Sequence, residues 1–119
     1  MSQFTKRKLS GSTDGKAVKV VATATPGTLL HTAVAGTTAG TFDEVWLWAW
    51  NGDTAARLLT IEFGGVTDPD NIVEVVVQPQ AGWQLVVPGH ILQNALVVRA
   101  FAAAASVVVC QGHVNAITD

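Results

Sequence analysis

The segment FDEVWLWAWN, residues 42–51, decides how this chain can fold. Its alternating positions are Trp46, Trp48 and Trp50 on one side and Val45, Leu47 and Ala49 on the other. Because successive side chains of a β-strand point to opposite faces, a strand here is apolar on both faces. One face fits the core of the domain, and the other face needs a second partner.

The sequence leaves three interpretations of the tryptophan face open. The rings can be the core face, or they can lie in a contact between subunits, where aromatic residues are enriched. They can also form a platform on which sugar rings stack. A glycan platform needs polar side chains beside the rings, and within this segment only Glu44 and Asn51 lie at its ends.

Short runs rich in β-branched and apolar residues recur along the chain between turn residues. The runs cover residues 16–24, 28–34, 43–51, 56–63, 71–77, 82–89, 95–101 and 106–114. Regular spacing of about 8 to 12 residues predicts a sandwich or barrel. We therefore predict an all-β fold, an eight-stranded antiparallel β-sandwich formed by residues 16–119. A jelly roll is favoured over a closed barrel or another sandwich.

Two local patterns give more specific predictions. The Asn-Gly pair in NGDTA, residues 51–55, is typical of a tight hairpin turn. In the run RLLTIEF, residues 57–63, the alternation predicts that Ile61 and its neighbours two positions away point inward.

The composition favours burial against partners. Of the 119 residues, 49% are hydrophobic and only 13% are charged, whereas about 25% is usual in soluble domains. Several faces that should point outward carry a single charge among apolar residues, which suits an oligomer contact. The predicted interface consists of Trp46, Trp48, Trp50, Glu74, Arg99 and Phe101.

Charge is unevenly distributed along the chain. The first 19 residues hold five basic residues and one acid, a net charge of +4, and the remaining residues carry −6. Residues 1–15 show no apolar periodicity, so we predict a flexible, extended N-terminal arm. No apolar h-region follows the basic residues, and no apolar run reaches the ~18 residues of a transmembrane helix. We expect neither a secretory signal nor a membrane partner.

Motifs for chemistry are sparse. Cys110 is the only cysteine, and its setting in SVVVCQ predicts a buried core residue. The three histidines lie in separate segments, so we expect no metal site. No nucleophile elbow, zinc motif or phosphate loop is present, which favours a protein that is not an enzyme and has no cofactor. The KRK run is a weak signal for phosphate contacts, and nucleic acid is not the expected partner.

The chain resembles small structural proteins of tailed bacteriophages. The segments that carry the resemblance are FTKRKLSGSTDGKAVKV, ATATPGTLLHTAV, DEVWLWAWN and LVVPGHILQNALVVRAFA. Within that group it is most similar to head decoration, or cement, proteins. These are compact β-sandwich or jelly-roll subunits, usually homotrimers, on the outside of the capsid.

The resemblance implies a structural virion protein that assembles in the host cytoplasm and binds the capsid exterior. Its partners would be the major capsid protein and two further copies of itself. The N-terminal arm would reach across the lattice, with capsid-binding residues Phe4, Lys6, Arg7, Lys8 and Leu9. The same fold also serves head fibres and tail tips, so a carbohydrate-binding or host-recognition module remains the alternative.

Overall fold

The chain is described by a computed structural model in which residues 2–119 are placed. Within these residues it is an all-β protein with no helix, and hence with no helix that could cross a membrane. The strands are β1 (Gln3–Lys8), β2 (Val18–Lys19), β3 (Thr28–Thr32), β4 (Phe42–Asn51), β5 (Arg57–Phe63), β6 (Ile72–Val77), β7 (Gln84–Leu92), β8 (Val97–Ala102) and β9 (Val108–Thr118).

Two antiparallel sheets pack against each other. The first has the order β1-β9-β4-β7, with β2 also paired to β9, and the second has the order β3-β8-β5-β6. The predicted all-β sandwich is therefore confirmed, and each of the eight predicted runs overlaps one of the strands β2 to β9. The strand order is compatible with the predicted jelly roll, because almost every pairing joins strands that are distant in sequence.

The N-terminal region differs from the predicted arm. Gln3–Lys8 forms β1 and pairs along its whole length with the C-terminal half of β9. Leu9, assigned by the resemblance to capsid binding, is only 1% exposed and belongs to the core. Hydrogen bonds to β9 satisfy the backbone N–H and C=O groups of this segment. The periodicity of apolar residues does not indicate such bonds, so it did not predict this strand.

The burial of the side chains shows which face of residues 42–51 is internal. Val45, Leu47 and Ala49 are fully buried between the sheets, and the tryptophans lie on the outer face of β4. The interpretation that the rings form the core is therefore wrong. The inward orientation predicted for Ile61 is confirmed, since this side chain is also fully buried.

The predicted hairpin at residues 51–55 is wrong. β4 and β5 belong to different sheets, so the segment crosses from one sheet to the other. Asn51 is buried and uses its side chain for this crossing. Its Nδ2 donates to the carbonyl oxygens of Ala55 (2.9 Å) and Val77 (3.0 Å), and its Oδ1 accepts from the backbone N–H of Asp53 (2.9 Å). These bonds hold the connection without the two positive φ values of a tight hairpin.

The core position predicted for Cys110 is confirmed, and it has a measurable consequence. The side chain is fully buried, and burial raises the pKa of the thiol to about 12. Because the thiolate is the reactive form, we expect the native protein not to react with a thiol reagent at pH 8, whereas protein in denaturant reacts fully. Rapid labelling of the native protein would contradict this burial.

Candidate functional site

The outer face of the first sheet brings the tryptophans together with side chains from two other strands. We call it the aromatic face. In the register of the sheet, Trp46 lies opposite His113, Trp48 opposite Gln111, and Glu44 opposite Asn115. Phe4, Lys6 and Lys8 of β1 share this face because they lie opposite Ile117, Asn115 and His113. The face is formed by Phe42, Glu44, Trp46, Trp48, Trp50, Gln111, His113, Asn115, Phe4, Lys6 and Lys8.

Three rings at the centre of the aromatic face are nearly parallel. The ring centroids of Trp46 and Trp48 are 6.2 Å apart, and that of His113 lies 6.5 Å from Trp46 and 5.8 Å from Trp48. Their planes differ by 15–26°. On its other side Trp46 lies against Gly89 of β7, where a Cβ atom would come within 2.8 Å of the indole ring. The bare glycine thus leaves room for the ring to lie close to the sheet.

Glu44 holds the indole N–H of Trp46 through a hydrogen bond. Its Oε1 accepts hydrogen bonds from Trp46 Nε1 (2.7 Å) and from Asn115 Nδ2 (3.0 Å). The bond from Asn115 and then the bond from Trp46 lower the pKa of this carboxyl, because both stabilise its charged form. The indole is therefore held in one orientation by an anionic acceptor.

His113 is uncharged at neutral pH. Partial burial is the main cause that lowers the pKa of the imidazole, and the positive charge of Lys6 lowers it further. The nearby Glu44 acts in the opposite direction but is the weakest of the three influences. A neutral imidazole offers one hydrogen-bond donor and one acceptor on the aromatic face.

A depression opens on the aromatic face beside Trp48. Trp83 forms its other wall and is 51% exposed, and the remaining lining residues are Gln111, Gly112 and His113. The depression has a volume of about 280 Å³. Gln111 is oriented by a hydrogen bond from its Nε2 to the carbonyl oxygen of Gly15 (3.0 Å). An indole pair and two polar side chains thus meet at one place.

The other predicted interface residues lie on the opposite side of the molecule. Glu74, Arg99 and Phe101 belong to the outer face of the second sheet, which we call the aliphatic face. The structure therefore does not bring them together with the tryptophans. The aliphatic face is formed by Leu29, Leu58, Thr60, Glu74, Val76, Arg99 and Phe101, and of these Leu29, Leu58 and Val76 are exposed large hydrophobic residues.

One margin of the aliphatic face is held by a buried carboxylate. Glu62 is 1% exposed, and its Oε1 accepts from the backbone N–H of Gly27 (2.6 Å), while its Oε2 accepts from the Thr25 hydroxyl (2.5 Å). Arg99 Nη1 donates to the carbonyl oxygen of Gly27 (3.2 Å). Arg99 therefore has an internal role beside any contact with a second copy.

A histidine–aspartate pair ties the N-terminal segment to the body. His31 and Asp43 are both buried, with Nε2 and Oδ2 2.7 Å apart. The backbone N–H of Ser10 donates to His31 Nδ1 (3.0 Å), so the ring proton of the neutral imidazole is on Nε2 and is donated to Asp43. Ser10 contributes its amide and not its hydroxyl to the histidine, so the three residues do not have the hydrogen-bond order of a catalytic triad.

Metal-binding groups do not converge in residues 2–119, where no three His, Cys, Asp or Glu side chains form a cluster. His90 lies edge-on to Phe63, with ring centroids 6.3 Å apart. The structure thus gives His31, His90 and His113 three different environments.

Sequence reasoning missed the partners of Trp48. His113 was interpreted as an isolated polar residue, and Trp83 and Gln111 were not assigned to any site. Gln111 and His113 join Trp48 through the pairing of β4 with β9, which are more than 50 residues apart in sequence, and Trp83 joins it through the pairing of β4 with β7. The usable signal was the alternation Gln111, His113, Asn115, which begins in the last predicted run and continues one residue past its end. In a strand this alternation places three polar side chains on one face.

Comparisons of this chain with protein-family models, with curated proteins and with solved structures found no match.

Proposed function

We propose that this chain is a non-enzymatic structural protein of a tailed-phage virion that binds the outside of the head as a homotrimer. The observation that carries the proposal is the exposed apolar surface of the aliphatic face. Leu58 and Val76 are 39% and 49% exposed and lie side by side on β5 and β6. Covering such a surface with further copies of the protein removes apolar area from water, which stabilises the assembly. The small number of charged residues favours this association.

The charges of the aliphatic face support an ordered contact between copies. Glu74 and Phe101 both lie next to Thr60, which is paired with each of them in the sheet, and Arg99 lies two residues before Phe101 on β8. An acid and a base set among apolar side chains favour registers in which opposite charges meet and disfavour the others. These charges support a contact between copies at this face.

β1 supplies the contact with the capsid. Phe4 is 64% exposed, and Lys6 and Lys8 follow on the same side of the strand, whereas Arg7 points to the other side. These residues form a basic edge on a protein whose net charge is −2, so the partner is an acidic surface of the major capsid protein. Three such edges on one rigid trimer act together through effective concentration, so weak individual contacts suffice.

The test of this proposal uses phage heads that lack the protein. We expect purified protein to bind such heads in a sedimentation assay, and the double variant Lys6→Glu, Lys8→Glu to lose binding by about tenfold or more because two cations meet acidic groups. The double variant Lys16→Glu, Lys19→Glu carries the same change of net charge outside β1 and is the matched control. Equal loss in both variants, or no binding by the original protein, would contradict the proposed role.

A further inference from the structure

The depression between Trp48 and Trp83 has the features of a small ligand site. Its two indole walls come from different elements, because Trp48 lies within β4 and Trp83 immediately precedes β7. Its volume of about 280 Å³ is near the lower end of the range for small-molecule sites, about 300 Å³. A single six-membered ring and its substituents fit a space of this size.

The polar groups of the depression are suited to hydroxyl groups. Gln111 uses one N–H of its amide for Gly15, and the amide has a second N–H and an oxygen with two lone pairs. His113 adds one donor and one acceptor as a neutral ring. A pyranose presents an apolar C–H face that matches the flat surface of an indole and a rim of hydroxyls that both donate and accept.

The charge of the depression argues for a neutral ligand. None of its lining side chains carries a formal charge at pH 7, because His113 is held neutral. Lys6 and Glu44 act on His113 from outside the depression, where Lys6 lowers the pKa of the imidazole and Glu44 raises it by less. A phosphate, a carboxylate or an ammonium group would therefore find no counter-charge on these walls.

We propose that the depression lined by Trp48, Trp83, Gln111 and His113 binds one pyranose ring of a neutral glycan. The ring stacks on an indole, and its hydroxyls exchange hydrogen bonds with the Gln111 amide and the His113 imidazole. None of its lining residues is among those assigned to the capsid contact or to the aliphatic face, although Lys8 of β1 lies opposite His113 in the sheet.

The experiment titrates the full chain with maltotriose, cellotriose and triacetylchitotriose. Binding is followed by tryptophan fluorescence and by saturation-transfer NMR of the sugar protons. We expect at least one of the three to bind with a dissociation constant of about 1 mM, as suits a ligand held by one ring. Trp83→Ala is expected to weaken binding by about tenfold or more, and Gln111→Ala to weaken it to a similar extent.

Two control variants distinguish binding at this site from nonspecific binding of sugars to the protein surface. Trp50→Ala removes a tryptophan of the same face that does not line the depression, and Leu96→Ala removes an exposed apolar side chain between β7 and β8. Both are expected to retain binding. The proposal is overturned if none of the three sugars binds at 20-fold that concentration, about 20 mM, or if Trp50→Ala loses as much affinity as Trp83→Ala. It is also overturned if Trp83→Ala changes the molar mass of the protein in solution, because the depression would then be a contact between copies.

Discussion

Replacement of Gly112 by alanine is expected to destabilise the protein by about 3 kcal/mol or more. Gly112 of β9 lies opposite Leu47 of β4, and a Cβ atom at this position would overlap the carbonyl oxygen of Trp46. That oxygen belongs to the backbone of the central strand, so it cannot move aside as a flexible side chain would. Relief of the overlap requires β4 and β9 to separate where the core is fully packed.

The matched control for this prediction is Gly52→Ala. A Cβ atom at Gly52 makes only ordinary contacts, at 3.4 Å to Trp50 Nε1 and 3.6 Å to the carbonyl oxygen of Val107. Urea unfolding of both variants measures the difference in the free energy of unfolding. A Gly112→Ala protein as stable as Gly52→Ala would show that β4 and β9 do not approach each other as described.

Replacement of Asp43 by alanine is expected to lower the free energy of unfolding by about 3 kcal/mol, since it leaves buried donors without an acceptor. Asp43 Oδ2 accepts from His31 Nε2 (2.7 Å) and from the backbone N–H of Val34 (3.2 Å). His31 in turn accepts from Ser10, so the loss also weakens the attachment of the segment that follows β1. Hydrogen exchange should show faster exchange in β1 than in β5 of this variant.

Two further variants make the Asp43 prediction specific. Asp43→Asn keeps an acceptor oxygen of the same size, so it should recover a large part of the lost stability. Asp53→Ala removes an aspartate that pairs with Arg57 at the surface, and it should lower the free energy of unfolding far less than Asp43→Ala does. If Asp43→Ala and Asp53→Ala are equally stable, the buried pair does not hold the N-terminal segment.

The fold was largely predictable because strand existence depends on local patterns. Alternation and turn residues located eight strands. One of the two apolar faces of residues 42–51, that of Val45, Leu47 and Ala49, packs in the core. The prediction of a hairpin at residues 51–55 was wrong because asparagine is suited to two roles. Its side chain can bond to the backbone of a connection between sheets, as Asn51 does, or the residue can occupy a tight turn. Local sequence cannot distinguish these two uses of asparagine.

The candidate site was less predictable because it depends on pairing between distant strands. Glu74 and Trp48 both follow an outward alternation, but only the sheet order shows that they lie on opposite faces. The β1 strand was missed for a related reason. Its side chains are exposed, and apart from Phe4 they are polar. Its stabilisation comes from backbone bonds to β9 and from the burial of Leu9, the residue that follows the strand.

Multi-angle light scattering of the purified protein reports directly on self-association through the aliphatic face. We expect a mass three times the 12.4 kDa of one chain. We also expect a shift to the single-chain mass when Leu58 and Val76 are both replaced by glutamate. A single-chain mass for the original protein at concentrations of about 100 μM, well above the Kd of a stable assembly, would show that the aliphatic face does not join copies.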